Sequence, residues 1–333
     1  MHLDEQDFEA ARERRALDEA TAKRGEFYAV DDMNETLNVS LAVPAGKSLE
    51  QPTLDILAKL HIDVHRKHPR STTAEISNLP GVSRLVFLKG DQIVRYVADG
   101  TIPLGITAED NVFESELDVH ICTSLSFGRA AASGGKTRGV FFTGKENPVD
   151  SIFEIERDDV IISEYPRQTE AFFKKFLTEA VVEKCTGSAE ALVAMGRYKY
   201  GVVLTETGTS LRVNGLKEIE TLFESRTVLI VNKQRYTKDS HMHMCADNLA
   251  RCLNSILQAQ NKCYLIMNVP SSSVSAILHL LPSLESPTVQ PLANEKFVSI
   301  ASVVPQEHLN FLKLQLWQLG ARGIVELDAS SVM

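Results

Sequence analysis

The residues with the clearest chemical potential lie in GVVLTETGTSLRVNGLKEIE, the stretch from Gly201 to Glu220. Val202, Val203 and Leu204 form an apolar run that reads as a buried strand. Thr205 to Ser210 follow as a hydroxyl-rich turn around Gly208, and Leu211, Leu216, Ile219 and Phe223 then recur at a spacing that predicts a helix. A tight turn from a strand into a helix leaves several backbone N–H groups without carbonyl partners. Those groups, with the positive end of the helix dipole, suit phosphate oxygens. Gly208 lets the backbone approach an anion closely, and Thr207, Thr209 and Ser210 add hydroxyl donors. An ordinary strand-turn-helix with polar caps fits the same residues.

The elements around this turn alternate. Strands are expected at Leu37–Val43, Arg84–Leu88, Ile102–Ile106, Arg138–Thr143 and Asp159–Ser163, with helices at Leu49–Leu60, Asp91–Ala98, Gln168–Phe176 and Ala189–Met195. That rhythm predicts α/β lobes built on mostly parallel sheets, with a ligand cleft at the strand C-termini. Ala132–Gly135 and Gly144–Pro148 are candidate crossing points between two lobes. The last third changes order. Strands at Cys263–Val269, Pro287–Pro291, Phe297–Val304 and Gly323–Leu327, with helices at Ser271–Leu281 and Gln306–Leu319, give the β-α-β-β-α-β sequence of a ferredoxin-like unit.

Composition bounds the function. The 333 residues are 44% hydrophobic and 24% charged, ordinary for a globular protein of two or three domains. A net charge of −9 argues against general nucleic-acid binding but leaves room for a local cationic pocket. No apolar run is long enough to span a bilayer, and no signal-peptide core opens the chain, so a cytoplasmic protein is expected. Five scattered cysteines fit a reducing compartment better than a disulfide framework. The first 35 residues are charged and poor in large apolar side chains, and read as a solvated or partly disordered extension.

The turn resembles the phosphoribosyl-pyrophosphate loop of the ATP phosphoribosyltransferases, the enzymes that open histidine biosynthesis. LAVPAGK (Leu41–Lys47), GTIPLGIT (Gly100–Thr107), SEYP (Ser163–Pro166), TGSAE (Thr186–Glu190), LESPTVQPLA (Leu284–Ala293) and GARGIVELDASSVM (Gly320–Met333) are similar to family segments in the same order. The resemblance runs from about Leu37 onward. It implies a two-lobed, periplasmic-binding-protein-like catalytic core and a C-terminal ferredoxin-like (ACT-like) domain. Lobe I would take residues 36–127 and 218–240, lobe II residues 128–217, and the regulatory domain residues 241–333, behind the 1–35 extension.

The implied reaction joins adenine N1 of ATP to the anomeric carbon of phosphoribosyl pyrophosphate and releases pyrophosphate. Thr207, Gly208, Thr209, Ser210 and Leu211 would then grip the 5′-phosphate. Lys47 would meet the other phosphates, with Mg²⁺ as cofactor. Glu190 and Glu206 would face cationic charge developing on the ribose. Lys47 reads equally as a solvated loop lysine, and Glu190 as a carboxylate favoured by a helix N-terminus. The resemblance also implies a homo-oligomer, dimer or hexamer, and histidine feedback with Ser286 and Thr288 at the effector site.

Several positions depart from the family pattern, among them Lys47 where an arginine is expected and Ala108 where a glycine is expected. Val203 and Pro103 stand where aspartates are expected, Ala45 stands for a lysine, and Lys89 stands for an arginine whose bidentate grip lysine cannot reproduce. These departures raise a runner-up, a catalytically weakened paralogue that binds nucleotide or phosphoribosyl ligands in a regulatory or assembly role. A transferase with a changed acceptor base is a third reading. Other clusters carry less. His241, His243 and Cys245 cannot converge on a metal if their segment is helical. His61, His65 and His68 with Arg66, Lys67 and Arg70 read as a solvated basic face or as a partner for ATP phosphates, and Cys252 as a core residue.

Overall fold

The computed structural model describes residues 38–46, 49–79, 81–128, 136–176, 180–284 and 286–332. The N-terminal extension, Lys47 and the glycine-rich run at 132–135 lie outside these residues.

The chain opens with β1 (Val39–Pro44), α1 (Glu50–Lys59), β2 (Asp63–His65), β3 (Thr73–Ser77), β4 (Val82–Leu88), α2 (Gly90–Ala98), β5 (Leu104–Ala108), α3 (Glu109–Ser115) and β6 (Val119–Leu125). A second group comprises β7 (Thr137–Gly144), β8 (Val160–Ser163), α4 (Pro166–Lys175), β9 (Val181–Lys184), α5 (Ala189–Ala194), β10 (Tyr200–Thr205), α6 (Thr209–Val213) and β11 (Leu216–Ser225). Then come β12 (Thr227–Asn232), α7 (Lys233–Lys238), α8 (Ser240–Ala259), β13 (Lys262–Pro270), α9 (Val274–Leu280), β14 (Thr288–Pro291), β15 (Phe297–Pro305), α10 (Leu309–Gln318) and β16 (Arg322–Asp328).

Lobe I is a seven-stranded sheet in the order β2-β3-β4-β1-β5-β12-β6, and lobe II a five-stranded sheet in the order β11-β7-β10-β8-β9. Both are mixed rather than mostly parallel. The parallel pairs β1–β4, β1–β5, β8–β10 and β8–β9 form their hearts, and antiparallel strands complete each sheet. The chain passes from lobe I to lobe II between β6 and β7, and returns at Arg226, so each lobe is completed by a non-contiguous segment. All six residues of β12 are buried, which is why this strand reads as an unbroken Val-Leu-Ile-Val run.

The helix expected from Leu211 through Phe223 is a five-residue helix followed by a ten-residue strand. Gly215, at φ +70°, turns the chain between them. Leu216 is buried, and Ile219, Leu222 and Phe223 pack on the second lobe's aromatic core. Bulges in the β7–β11 pairing break the strict two-residue alternation, so the apolar spacing imitates a helix. The return to lobe I therefore lies after Ser225, not at 218.

The 20-residue α8 shifts a second expected boundary. Met242, Cys245, Ala246, Leu249, Leu253 and Ile256 share one face and pack into the same core as Leu41, Val43 and Leu85. Residues 241–259 thus belong physically to lobe I. The C-terminal domain begins at β13 and has its own core around Cys263, Leu265, Met267, Ile277, Ile300 and Leu316. Its antiparallel sheet, ordered β14-β15-β13-β16, has the ferredoxin-like arrangement expected from the element order.

Candidate functional site

The hydroxyl-rich turn sits where a buried strand ends. Gly201 and Val202 of β10 are buried at the centre of the lobe II sheet, and the side chains grow more accessible toward Thr205. Gly208 takes φ +68° and caps α6, a left-handed conformation that costs other L-residues about 1–2 kcal/mol. Its N–H donates to Thr205 Oγ1 at 2.9 Å, and its carbonyl accepts from Arg212 N–H at 3.1 Å. The first-turn amides of Thr209, Ser210 and Leu211 have no carbonyl a turn behind them. Leu211 anchors the turn by burying its side chain completely among Val140, Phe142 and Val193.

Side chains complete this cradle. The hydroxyls of Thr207 and Thr209 are 2.8 Å apart, and Arg212 Nη2 donates to Thr209 Oγ1 at 3.1 Å. Ser210 Oγ donates to Glu190 Oε2 at 2.7 Å, tying the turn to the neighbouring TGSAE loop. In that loop Gly187 and Ser188 both take positive φ before α5 begins. Beneath the turn, Arg138 Nη2 donates to Glu218 Oε2 at 3.0 Å, and a Cβ added to Gly208 would overlap the Glu218 carboxylate. Gly208 is thus favoured by its backbone conformation, and any larger residue would also have to push the Glu218 carboxylate aside.

A pocket of about 140 Å³ lies between the lobes. Pro44, Ala45, Gly46, Ala108, Asp110 and Asn111 line it from lobe I, and Thr137, Tyr165 and Leu204 from lobe II. Ser225, Arg226 and Thr227, where the chain crosses back, close its base. This volume is the hinge end of a cleft rather than a whole nucleotide site, which typically needs ~300 Å³ or more. Asp110 is 4% exposed, and its Oδ1 accepts from Ser225 Oγ at 2.5 Å. Gly46 is fixed by Glu50, whose Oε2 accepts the Gly46 N–H at 2.9 Å and whose Oε1 accepts from Arg66 at 2.7 Å. The Gly46 hydrogen bond, aided by Arg66, holds the Glu50 carboxyl below its ordinary range despite partial burial.

The family model for ATP phosphoribosyltransferase matches residues 89–254, and that for the HisG C-terminal domain matches residues 259–330. An ATP phosphoribosyltransferase of Desulfatibacillum aliphaticivorans is 31% identical over 305 residues, covering 90% of this chain and 100% of that protein. The chain belongs to the ATP phosphoribosyltransferase family. A Geotalea uraniireducens ATP phosphoribosyltransferase is likewise 31% identical over 295 residues, spanning 89% of this chain and 99% of its own length. Among solved structures, the ATP phosphoribosyl transferase (HisG:HisZ) complex from Thermotoga maritima superposes with a TM-score of 0.54 at 19% identity. It covers 66% of this chain and 98% of that one, a likeness of fold.

Within this family fold, the residues read from sequence fall into three groups. Thr207, Gly208, Thr209, Ser210, Leu211 and Glu190 come together in one cradle, and Glu206 is exposed next to Thr207 in the turn. Lys47 is outside the described residues, though its neighbour Gly46 lines the interlobe pocket. Ser286 and Thr288 are exposed at the β14 edge of the C-terminal sheet, on a different core from the cradle. Of the departing positions, Val203 packs at the edge of the lobe II core, Pro103 is buried ahead of β5, Ala45 lines the pocket and Lys89 is exposed just before α2.

Sequence reasoning missed Asp110, Tyr165 and Arg226. Asp110 lies just past the C-terminal end of β5, the end at which alternating strands and helices leave their cleft, and that position was its available signal. His241 and His243 are exposed on α8 while Cys245 is buried in the lobe I core, so these three diverge. Arg66 is not a solvated patch residue, because it binds Glu50 and the Ser71 carbonyl and lies 3.9 Å over the Phe87 ring.

Proposed function

We propose that the protein joins ATP to phosphoribosyl pyrophosphate, releasing phosphoribosyl-ATP and pyrophosphate as the opening step of histidine biosynthesis. Family membership supplies the reaction, and the cradle at Thr205–Leu211 is the observation that supports it most directly. Its three first-turn amides and the Thr207, Thr209 and Ser210 hydroxyls suit the 5′-phosphate of the donor. Adenine N1 then attacks the anomeric carbon as the bond from that carbon to pyrophosphate breaks, and the electron pair leaves with pyrophosphate. Positive charge grows on the ribose ring in this step. Glu206 and Glu190 are the carboxylates on the cradle side that would face it.

The proposed cofactor is Mg²⁺. Among the described residues no group of three His, Cys, Asp or Glu side chains could hold an ion alone. Mg²⁺ retains waters and binds chiefly through substrate phosphates with one or two carboxylates, a part Glu206 would take. Bound to pyrophosphate, the ion would neutralise the leaving group's charge. The decisive assay is pyrophosphate release with ATP and phosphoribosyl pyrophosphate together, using other purine nucleotides as competitors. Release that needs both substrates and favours ATP supports the assignment, and none with folded protein overturns it.

The regulatory reading rests on the C-terminal domain. Histidine is proposed to bind near Ser286 and Thr288, where an exposed edge strand offers hydroxyls and backbone groups to a small amino acid. It acts as feedback only by binding the less active assembly more tightly. The protein is proposed to work as a cytoplasmic homo-oligomer, dimer or hexamer. No helix among the described residues is long and apolar enough to cross a membrane. A thermal-shift and sedimentation titration tests regulation. No response at millimolar histidine reassigns the domain to packing subunits.

A further inference from the structure

The two lobes meet at a second place besides the crossing strands, and the contact there is built from helix ends. Glu114, in the last turn of α3 on lobe I, aims its carboxylate at the start of α4 on lobe II. Glu114 Oε1 accepts from Arg167 N–H at 3.1 Å, and Oε2 accepts from Gln168 N–H at 3.2 Å. Arg167 returns the contact: its Nη1 donates to the Glu114 carbonyl at 3.2 Å and to the Ser115 carbonyl at 2.9 Å. A carboxylate thus covers the positive end of one helix, and a guanidinium covers the negative end of the other. Both sets are charge-assisted bonds to backbone groups a helix end leaves unpaired. Gln168 Nε2 adds a bond to the Asp110 carbonyl at 3.1 Å, and Arg167 also pairs with the exposed Glu116 at 3.0 Å.

The other end of α3 is tied to the hinge. Glu109 N–H donates to the Arg226 carbonyl at 2.9 Å, and Arg226 N–H donates to Glu109 Oε2 at 3.0 Å. Asp110 N–H donates to Ser225 Oγ at 3.1 Å. At 1.5 Å per residue the seven-residue α3 is a lever about 10 Å long. One end grips the crossing segment and the other grips lobe II, with Asp110 and Asn111 between them on the pocket wall.

We propose that Glu114 and Arg167 are positioning residues: their reciprocal helix-end contact latches the lobes in the closed relation that sets the Asp110–Asn111 wall of lobe I against Tyr165 and the phosphate cradle of lobe II. The functional part of this proposal rests on the phosphoribosyl-transfer reading above. Opening the cleft breaks together the four bonds that join Glu114 and Ser115 to Arg167 and Gln168. Closing it restores them, so the latch raises the fraction of protein already arranged for both substrates. Apparent affinity scales with that fraction. Loss of the latch therefore weakens both substrates together and leaves the chemical step on closed protein largely intact.

The experiment uses full-length protein and the variants Glu114→Gln, Glu114→Ala and Glu114→Ala/Arg167→Ala. The first readout is hydrogen exchange of ligand-free protein at the peptides carrying Glu109 and Arg226, which needs no substrate. The second is KM for ATP and for phosphoribosyl pyrophosphate, against kcat. The double variant is expected to exchange faster at both hinge peptides and to raise both KM values by roughly 5- to 50-fold. Its kcat should change much less. Glu114→Gln keeps one acceptor oxygen and should fall between wild type and Glu114→Ala. If Glu114→Ala does not fold, Glu114→Gln and Arg167→Ala carry the same comparison. Unchanged hinge exchange in a folded variant overturns the latch, even if the enzyme turns over. Faster exchange in a protein that never releases pyrophosphate keeps the latch and refutes the reaction instead. Faster exchange with unchanged KM values overturns its role in substrate binding.

Discussion

Gly208→Ala tests the phosphate cradle at its most constrained residue. Alanine at φ +68° costs about 1–2 kcal/mol through the left-handed backbone alone. Its Cβ also displaces the Glu218 carboxylate, the far end of a flexible side chain, and thereby breaks the Arg138–Glu218 pair. That pair is about one-third exposed at Arg138, so its loss adds only ~0–1 kcal/mol. The expected destabilisation is therefore ~1–3 kcal/mol, small enough for a folded protein. Binding suffers more in proportion. Turning one or two first-turn amides away from the 5′-phosphate removes charged hydrogen bonds worth ~1.5–3 kcal/mol each, so affinity should fall at least about 10- to 100-fold. Isothermal calorimetry with Mg²⁺ and phosphoribosyl pyrophosphate measures this, with circular dichroism as the check on folding. Glu218→Ala in the same background relieves the overlap but not the backbone strain. It should recover at most the cost of the overlap, because the Arg138–Glu218 pair is absent from both variants, and none of the affinity. Wild-type affinity in folded Gly208→Ala would remove this turn from the binding site.

Three further outcomes are expected. The Glu50 carboxyl titrates below its ordinary value of 4.5, so its stabilising contribution is complete above that value and disappears as pH falls through the folded one. In denaturant titrations the stability gap between wild type and Glu50→Gln should therefore close in acid, and a gap constant from pH 7 to pH 3 contradicts the Gly46 clamp. Burial, reinforced by Asp247, pushes the Cys122 thiol to about 12, leaving about one thiolate in ten thousand at pH 8. Native protein should resist iodoacetamide at Cys122 and react there on unfolding, as read by peptide mass spectrometry; equal labelling rates contradict its burial. Finally, turnover should be well below that of a relative with aspartates at the positions of Val203 and Pro103, because a missing transition-state group can cost on the order of 10²-fold. Val203→Asp/Pro103→Asp should raise kcat with unchanged products, at some cost in stability because Val203 packs on the lobe II core. Absence of turnover before and after restoration favours a binding protein.

The C-terminal unit was legible almost element by element, and its central strand β13 alternates cleanly: Cys263, Leu265, Met267 and Val269 are buried while Tyr264 and Asn268 are exposed. The cradle was legible for a different reason. Gly208, its flanking hydroxyls and the anchoring Leu211 act within a few residues of one another, so local chemistry defines them. Legibility failed where long-range pairing decides the outcome. The run from Leu216 to Phe223 became a strand because β7 pairs with it, and no local residue announces that partner. Asp110 and Arg226 meet across 115 or so positions of sequence through Ser225 and Glu109, contacts that only the twice-crossed topology creates. The end of lobe I was misplaced because α8 is amphipathic and continuous with its neighbours, and only its packing on Leu41 and Leu85 assigns it.

That packing bears on how such a chain can change over evolutionary time. The hydrophobic face of α8 seals the first lobe, and the sheet that follows has a separate interior, joined back through Ser255 to Ser331 and Val332. A gene cut after Gln260 therefore keeps every residue that lobe I buries, whereas a cut before Ser240 exposes that interior to water. Gain, loss or exchange of the last module is a single recombination event with its viable breakpoint in the short link between α8 and β13. That module can then be replaced wholesale while the cores of the two preceding lobes remain intact.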